Sequence, residues 1–164
     1  MLSSGVYDMI HNGHGRYLEL AKQQGDILIV VVDSDTLTKS RKGPSRPIVT
    51  EGERIEMLLH LRHVDIVTIY NPGSDNFECI EHIKPDVIVI SETTKDIKQP
   101  MLDQIEKYNI KKVILPAQSE VTSTGRIRQL IIDGGKSLAK FLEEQITKYF
   151  EGDIDAKGGT DGKQ

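Results

Sequence analysis

Six consecutive apolar residues, Ile27-Leu28-Ile29-Val30-Val31-Val32, run without polar alternation. A β-branched run of that length suits a strand buried on both faces. Val64 to Tyr70, Val87 to Ile90 and Lys112 to Leu115 repeat the pattern more weakly, and a short apolar run, Met1 to Tyr7, opens the chain. Between these runs the apolar positions take the helical period. The predicted helices are Gly15 to Gln24, Thr50 to Leu61 (Ile55, Leu58 and Leu59 on one face), Phe77 to Ile83 and Met101 to Tyr108. Gly25-Asp26, Asn71-Pro72-Gly73 and Lys84-Pro85-Asp86 supply the turns. Alternating strands and helices predict a single α/β domain, a Rossmann-like open parallel sheet of about five strands with right-handed crossovers.

Beyond Ile132 the pattern changes. Asp133-Gly134-Gly135 is expected to break the helix, which divides the chain into a domain over 1–132 and an amphipathic helix over 133–150. That helix carries Leu138, Phe141, Leu142, Ile146 and Tyr149 along a stripe that must bury against the sheet or a second subunit. Residues 151–164 are rich in Gly, Asp and Lys and are expected to be a disordered tail.

Composition narrows the function classes. A net charge of −4 lacks the broad basic footprint of a nucleic-acid binder, although Lys39 to Arg46 forms a local cationic cluster. Cys79 is the only cysteine, which excludes an intramolecular disulfide and a cysteine zinc cluster and suits a reducing cytoplasm. No apolar run is long enough to insert into a membrane, and no signal peptide pattern opens the chain.

In a parallel sheet, ligands gather at the carboxyl ends of the strands, and three motifs fall there. The first is His11-Asn12-Gly13-His14, after the opening strand and at the start of a helix. Helix N-termini present unpaired N–H groups and a partial positive charge, and two imidazoles add donors suited to polyphosphate. The bland alternatives are a capping pair or two ligands of a metal site, for which local spacing offers no third ligand. The second motif is Lys42-Gly43-Pro44-Ser45-Arg46-Pro47, read as a flexible arm whose Lys42 and Arg46 neutralise phosphate charge, or as a solvated loop. Arg54 adds a third phosphate-binding cation, or else pairs with Glu51 or Glu53. The third is Thr122-Ser123-Thr124-Gly125-Arg126, a helix cap that can also grip phosphate, with Arg126 close by.

Gly5-Val6-Tyr7-Asp8 followed by His11-Asn12-Gly13-His14 resembles the glycine-aromatic-aspartate and His-x-Gly-His signature of the cytidylyltransferase-like nucleotidyltransferase superfamily. Ser34-Asp35, Lys42-Gly43, Arg46-Pro47, Arg54, Val64-Asp65 and Ser123-Thr124 continue the likeness in order, over residues 1–132. Within the superfamily the stretch Lys42 to Pro47 most resembles the adenylyltransferase domain of ADP-heptose synthase, and next glycerol-3-phosphate cytidylyltransferase. Ser91-Glu92-Thr93-Thr94 and Pro116-Ala117-Gln118-Ser119 depart from the patterns of those two families, and Gly125 replaces a second Thr.

The resemblance implies an enzyme. A phosphate oxygen of the acceptor attacks the α-phosphate of a nucleoside triphosphate and pyrophosphate leaves. His11, His14 and Lys42 would be catalytic. Gly5, Val6, Tyr7, Asp8, Gly13, Ser123, Thr124 and Arg126 would bind the nucleotide, while Asp33, Asp35, Arg46 and Arg54 would face the acceptor or its phosphate. Mg²⁺ is expected on the triphosphate rather than in a protein-held site. ATP is favoured over CTP, with a phosphorylated sugar or polyol as acceptor and a homodimer as the assembly. The alternatives are cytidylyl transfer to a glycerol phosphate, FAD synthetase-like adenylylation of FMN, and a non-catalytic nucleotide-binding module.

Overall fold

The computed structural model describes residues 1–70, 78–94 and 99–157, with Glu78 and the last ten by backbone only. Five parallel strands form one sheet: β1 (Leu2–Gly5), β2 (Ile29–Asp33), β3 (Ile66–Tyr70), β4 (Val87–Ser91) and β5 (Lys111–Leu115). Their order is β3-β2-β1-β4-β5. The sheet therefore grows outward from β1 in both directions, and the reversal between β1 and β4 opens a crevice at the strands' carboxyl ends.

Period-2 alternation sorts the side chains onto two faces. Val30, Val32 and Val89 pack with Leu18, Ala21 and Leu58. Val31, Ile88 and Ile90 pack with Ile80 and Ile110 on the other side. Each fully buried Val, Leu or Ile contributes about 1.5–3 kcal/mol of transfer free energy. The expected parallel sheet flanked by helices is what these contacts build.

Helices α1 (Asn12–Lys22), α3 (Glu51–Leu59), α4 (Glu78–Ile83) and α5 (Gln99–Lys107) occupy the predicted segments, with shifted ends. Phe77 and Asn71-Pro72-Gly73 lie outside the described residues. Two segments differ from expectation. Residues 35–42, for which no helix is predicted, form helix α2 (Asp35–Lys42). The Ser34 hydroxyl accepts from the Leu37 N–H, Asp35 sits in the first turn and Lys39, Arg41 and Lys42 in the last, so cap and dipole both favour the helix. Helix α6 (Ser123–Lys157) runs uninterrupted through Asp133-Gly134-Gly135 and enters the segment expected to be disordered. Two glycines cost about 1 kcal/mol each, which good helix formers on both sides offset.

The chain divides into two units, Met1–Ser123 with the sheet and Thr124 onward with α6. Among the described residues no helix is long and apolar enough to cross a membrane.

Candidate active site at the carboxyl end of β1

Helix α1 begins inside the histidine tetrad. His11 is its N-cap, in extended conformation, and its Nδ1 accepts from the Gly13 N–H at 3.1 Å. His14 answers three residues later: its Nδ1 accepts from the His11 N–H at 3.4 Å. This is a capping box in which imidazoles take the places of Ser and Glu. The two rings lie 4.2 Å apart, centroid to centroid. A nitrogen that accepts carries no proton, so each neutral ring bears its hydrogen on Nε2. Burial lowers the His14 pKa to about 4, with help from His11 and Lys42 and against Asp8. At neutral pH His14 is an uncharged Nε2–H donor.

Glycine is required between the histidines. A Cβ on Gly13 would stand 2.6 Å from Ser119 Cβ and 2.8 Å from the His11 ring. The loop that follows β5 therefore lies against the start of α1. Glu92, just past β4, holds that loop by accepting from the Ala117 N–H at 2.7 Å. Sequence reading assigned no role to Ser119 or Glu92, although both sit where the chain departs from its relatives' patterns.

Lys42 is the last residue of α2. Partial desolvation lowers its pKa first and the Arg46 guanidinium second, while Asp33 and Asp8 pull the other way. Its charge is felt at His14. Lys42, at the end of α2, thus acts electrostatically on His14, at the start of α1.

The loop after β1 turns through two residues in the left-handed region, Tyr7 (φ 52°) and Met9 (φ 51°). Each conformation costs roughly 1–2 kcal/mol, so the loop must be held. Asp8 supplies one anchor. Its Oδ2 accepts from Arg46 Nε at 2.8 Å and forms an ion pair with Arg46 Nη2 at 2.7 Å, and its Oδ1 accepts from the N–H groups of Ile48 and Val49 at 3.1 and 3.0 Å. Burial pushes the Asp8 carboxyl up, but those N–H groups and Arg46 outweigh it and leave its pKa below the usual range. Arg54, 1% exposed, supplies the second. It donates to the carbonyls of Val6, Asp33 and Val49 and to the Asp35 carboxylate.

These contacts reassign several expected ligands. Arg54 is a buried strut rather than a phosphate-binding cation, because its N–H groups are spent on backbone carbonyls and Asp35. Arg46 is buried against Asp8 rather than carried on a flexible arm. Asp33 is buried beside Arg41, 2.9 Å away, and burial raises its pKa despite Arg41, Lys42 and Arg54. Gly5 makes room for a side chain: a Cβ there would meet the Tyr7 ring at 3.1 Å. Tyr7 is itself buried, its hydroxyl 3.1 Å from Ser3 Oγ. Ser123 opens α6, and Thr124 and Arg126 are exposed on its first turns. Among the described residues no cluster of three or more His, Cys, Asp or Glu stands where a metal ion would be held.

Comparison with known proteins shows the family. The HldE protein of Desulfatibacillum aliphaticivorans, described as bifunctional, is 34% identical over 134 residues, which are 82% of this chain and 27% of that protein. The FAD synthase of Thermococcus sibiricus is 33% identical over 137 residues, covering 81% of this chain and 92% of that one. The chain thus spans about a quarter of the HldE protein and nearly all of the FAD synthase. The crystal structure of a lipopolysaccharide core biosynthesis protein from Thermoplasma volcanium superposes with a TM-score of 0.59 at 30% identity, over 71% of this chain and 93% of that one. Residues 2–130 match the cytidylyltransferase-like family, and the chain belongs to it.

Proposed function

We propose that the protein transfers AMP from ATP to the phosphate of a phosphorylated sugar or polyol and releases pyrophosphate. An acceptor phosphate oxygen attacks the α-phosphorus, the bond from that phosphorus to the bridging oxygen breaks, and the electron pair leaves with pyrophosphate. An ionised phosphate is already a nucleophile, so no protein base is needed. What remains is positioning and the stabilisation of negative charge on the pentacoordinate α-phosphate.

The observation that carries the reading is the reciprocal capping of His11 and His14, with Lys42 close enough to depress His14. Two fixed Nε2–H donors, a helix N-terminus and one ammonium form a preorganised cradle for an oxyanion. Mg²⁺ would travel on the triphosphate oxygens. Ser123 would lie with the outer phosphates, as its motif suggests. The adenylyl donor and sugar-type acceptor rest on the likeness of Lys42 to Pro47 to the heptose enzymes.

A second acceptor, FMN, is favoured by one observation: the chain matches 92% of an FAD synthase's length. Pyrophosphate release from ATP and from CTP, each offered a sugar phosphate, glycerol 3-phosphate or FMN with Mg²⁺, separates these readings. Turnover with ATP and a sugar or polyol phosphate supports the first. Turnover with FMN alone replaces it with the second, and a folded protein inert on the whole panel refutes both.

A further inference from the structure

Three hydroxyls form one buried chain between α1 and the sheet. Tyr17 Oη, on α1, donates to the Val89 carbonyl at 2.9 Å and stands 2.9 Å from Ser3 Oγ. Ser3 Oγ in turn stands 3.1 Å from Tyr7 Oη. None of Ser3, Tyr7, Tyr17 and Val89 is more than 8% exposed. Each hydroxyl has a single proton, and a carbonyl can only accept. The Tyr17 proton goes to Val89, so Tyr17 accepts from Ser3. The Ser3 proton is thereby used, so Ser3 accepts from Tyr7. Burial pushes the Tyr17 pKa up to about 12 and raises that of Tyr7 as well, so both phenols keep their protons at neutral pH. The chain therefore has one direction, from Tyr7 through Ser3 and Tyr17 to β4.

It ends at a particular rung of the sheet. β1 and β4 pair through Leu2↔Ile88 and Ser3↔Val89 and then part, whereas β1 and β2 stay paired as far as Gly5↔Val32. Ser3 and Val89 are the last rung before the crevice, and the Tyr17 hydroxyl bonds to both of its members. Helix α1 is thus pinned to the sheet where the strand order reverses.

Both arms of the chain bear on His14. Tyr17 follows it by three residues, on the same face of α1. The Tyr7 ring lies beside the imidazole, with centroids 5.5 Å apart and planes tilted by 58°. Apolar packing alone does not call for these hydroxyls. Leu18 and Ala21, both fully buried, already seat α1, and phenylalanines would bury the same rings.

We propose that Tyr17 is a positioning residue for His14: together with Ser3 it ties the start of α1 and the Tyr7 ring to the last β1–β4 rung, and so fixes where the His14 Nε2–H points. The inference rests on the role given to His14 above.

Tyr17→Phe keeps the ring and removes only the hydroxyl. Its kcat for pyrophosphate release is expected to fall roughly ten- to a hundredfold, with KM for ATP within about twofold of wild type. Without ATP, long-range ¹H–¹⁵N correlation should show the single Nε2–H form of His14 giving way to an average of the two tautomers. Ser3→Ala, which breaks the chain at its middle, should move both readouts the same way and serves if Tyr17→Phe does not fold. Ile80→Val, in the core on the other face of the sheet, is the control: it should lower the melting temperature and leave kcat and the His14 signal alone. An unchanged kcat or an unchanged His14 signal in the folded variants overturns the inference, as do equal losses in Ile80→Val. A folded wild type inert on every acceptor refutes the proposed reaction instead, and the His14 signal then decides the positioning by itself.

Discussion

Asp8 and Arg46 form a buried ion pair at 2.7 Å across 38 residues of sequence, and it ties the loop after β1 to the segment after α2. One of those segments ends in His11 and the other begins at Lys42. The pair therefore links the segment that leads to the histidine cap with the one that follows Lys42.

Asp8→Asn leaves the Arg46 charge buried with a weakened partner. Breaking one side of a buried pair costs on the order of 3–5 kcal/mol. Urea unfolding should show a free energy of unfolding lower by that amount, seen as a lower midpoint at unchanged m, and turnover should fall in the protein that remains folded. An unchanged midpoint would mean that the loop is held elsewhere.

Arg54 tests the strut. Arg54→Met keeps much of the volume but orphans the carbonyls of Val6, Asp33 and Val49, each worth about 1–3 kcal/mol if left unsatisfied. The melting temperature should drop sharply, and Arg54→Lys should not restore it, because one ammonium lacks the guanidinium's planar fork. Full rescue by lysine would contradict the strut.

The cap makes a spectroscopic prediction for His14. Long-range ¹H–¹⁵N correlation should show the Nε2–H tautomer and a titration near pH 4 rather than near 6.5. The linkage sign follows. Between the folded and unfolded pKa values the unfolded chain binds more protons, so this group's contribution to stability is complete above about pH 6.5 and is lost as pH falls toward 4. A titration near 6.5, or an Nδ1–H ring, would break the capping argument.

Gly13→Ala forces a methyl to within 2.6 Å of Ser119 Cβ and should cost roughly 1–3 kcal/mol together with most activity. Ser119→Gly in the same chain should recover part of the stability by removing that contact. No recovery would place the strain at the His11 ring instead.

The fold was legible because its signals are local and repeated. In the run Ile27 to Val32, Leu28 and Val30 to Val32 are buried and the parallel sheet covers both faces of β2, whereas Ile27 stands before the strand and is exposed. Helix α2 escaped notice because Gly43, Pro44 and Pro47 drew its basic last turn into the loop beyond, although Ser34 was a readable cap. The break expected at Asp133-Gly134-Gly135 overweighted a local propensity that its flanks overrode. At the site, sequence marked the charged residues but not their partners. Arg54 and Arg46 look like phosphate ligands by residue type; only the fold brings the Val6 and Asp33 carbonyls to one and Asp8 to the other. Ser119 gave no signal, since its closeness to Gly13 joins the loop after the edge strand β5 to the helix after the central strand β1.

The most direct test of the central claim is the rate of pyrophosphate release from ATP with the acceptor that supports turnover, in wild type, His14→Ala and Lys42→Ala. Each substitution removes a proposed donor to the α-phosphate and should lower turnover about a hundredfold or more, with the fold intact by circular dichroism and ATP affinity little changed. Rates equal to those of an active wild type would show that the chemistry lies elsewhere.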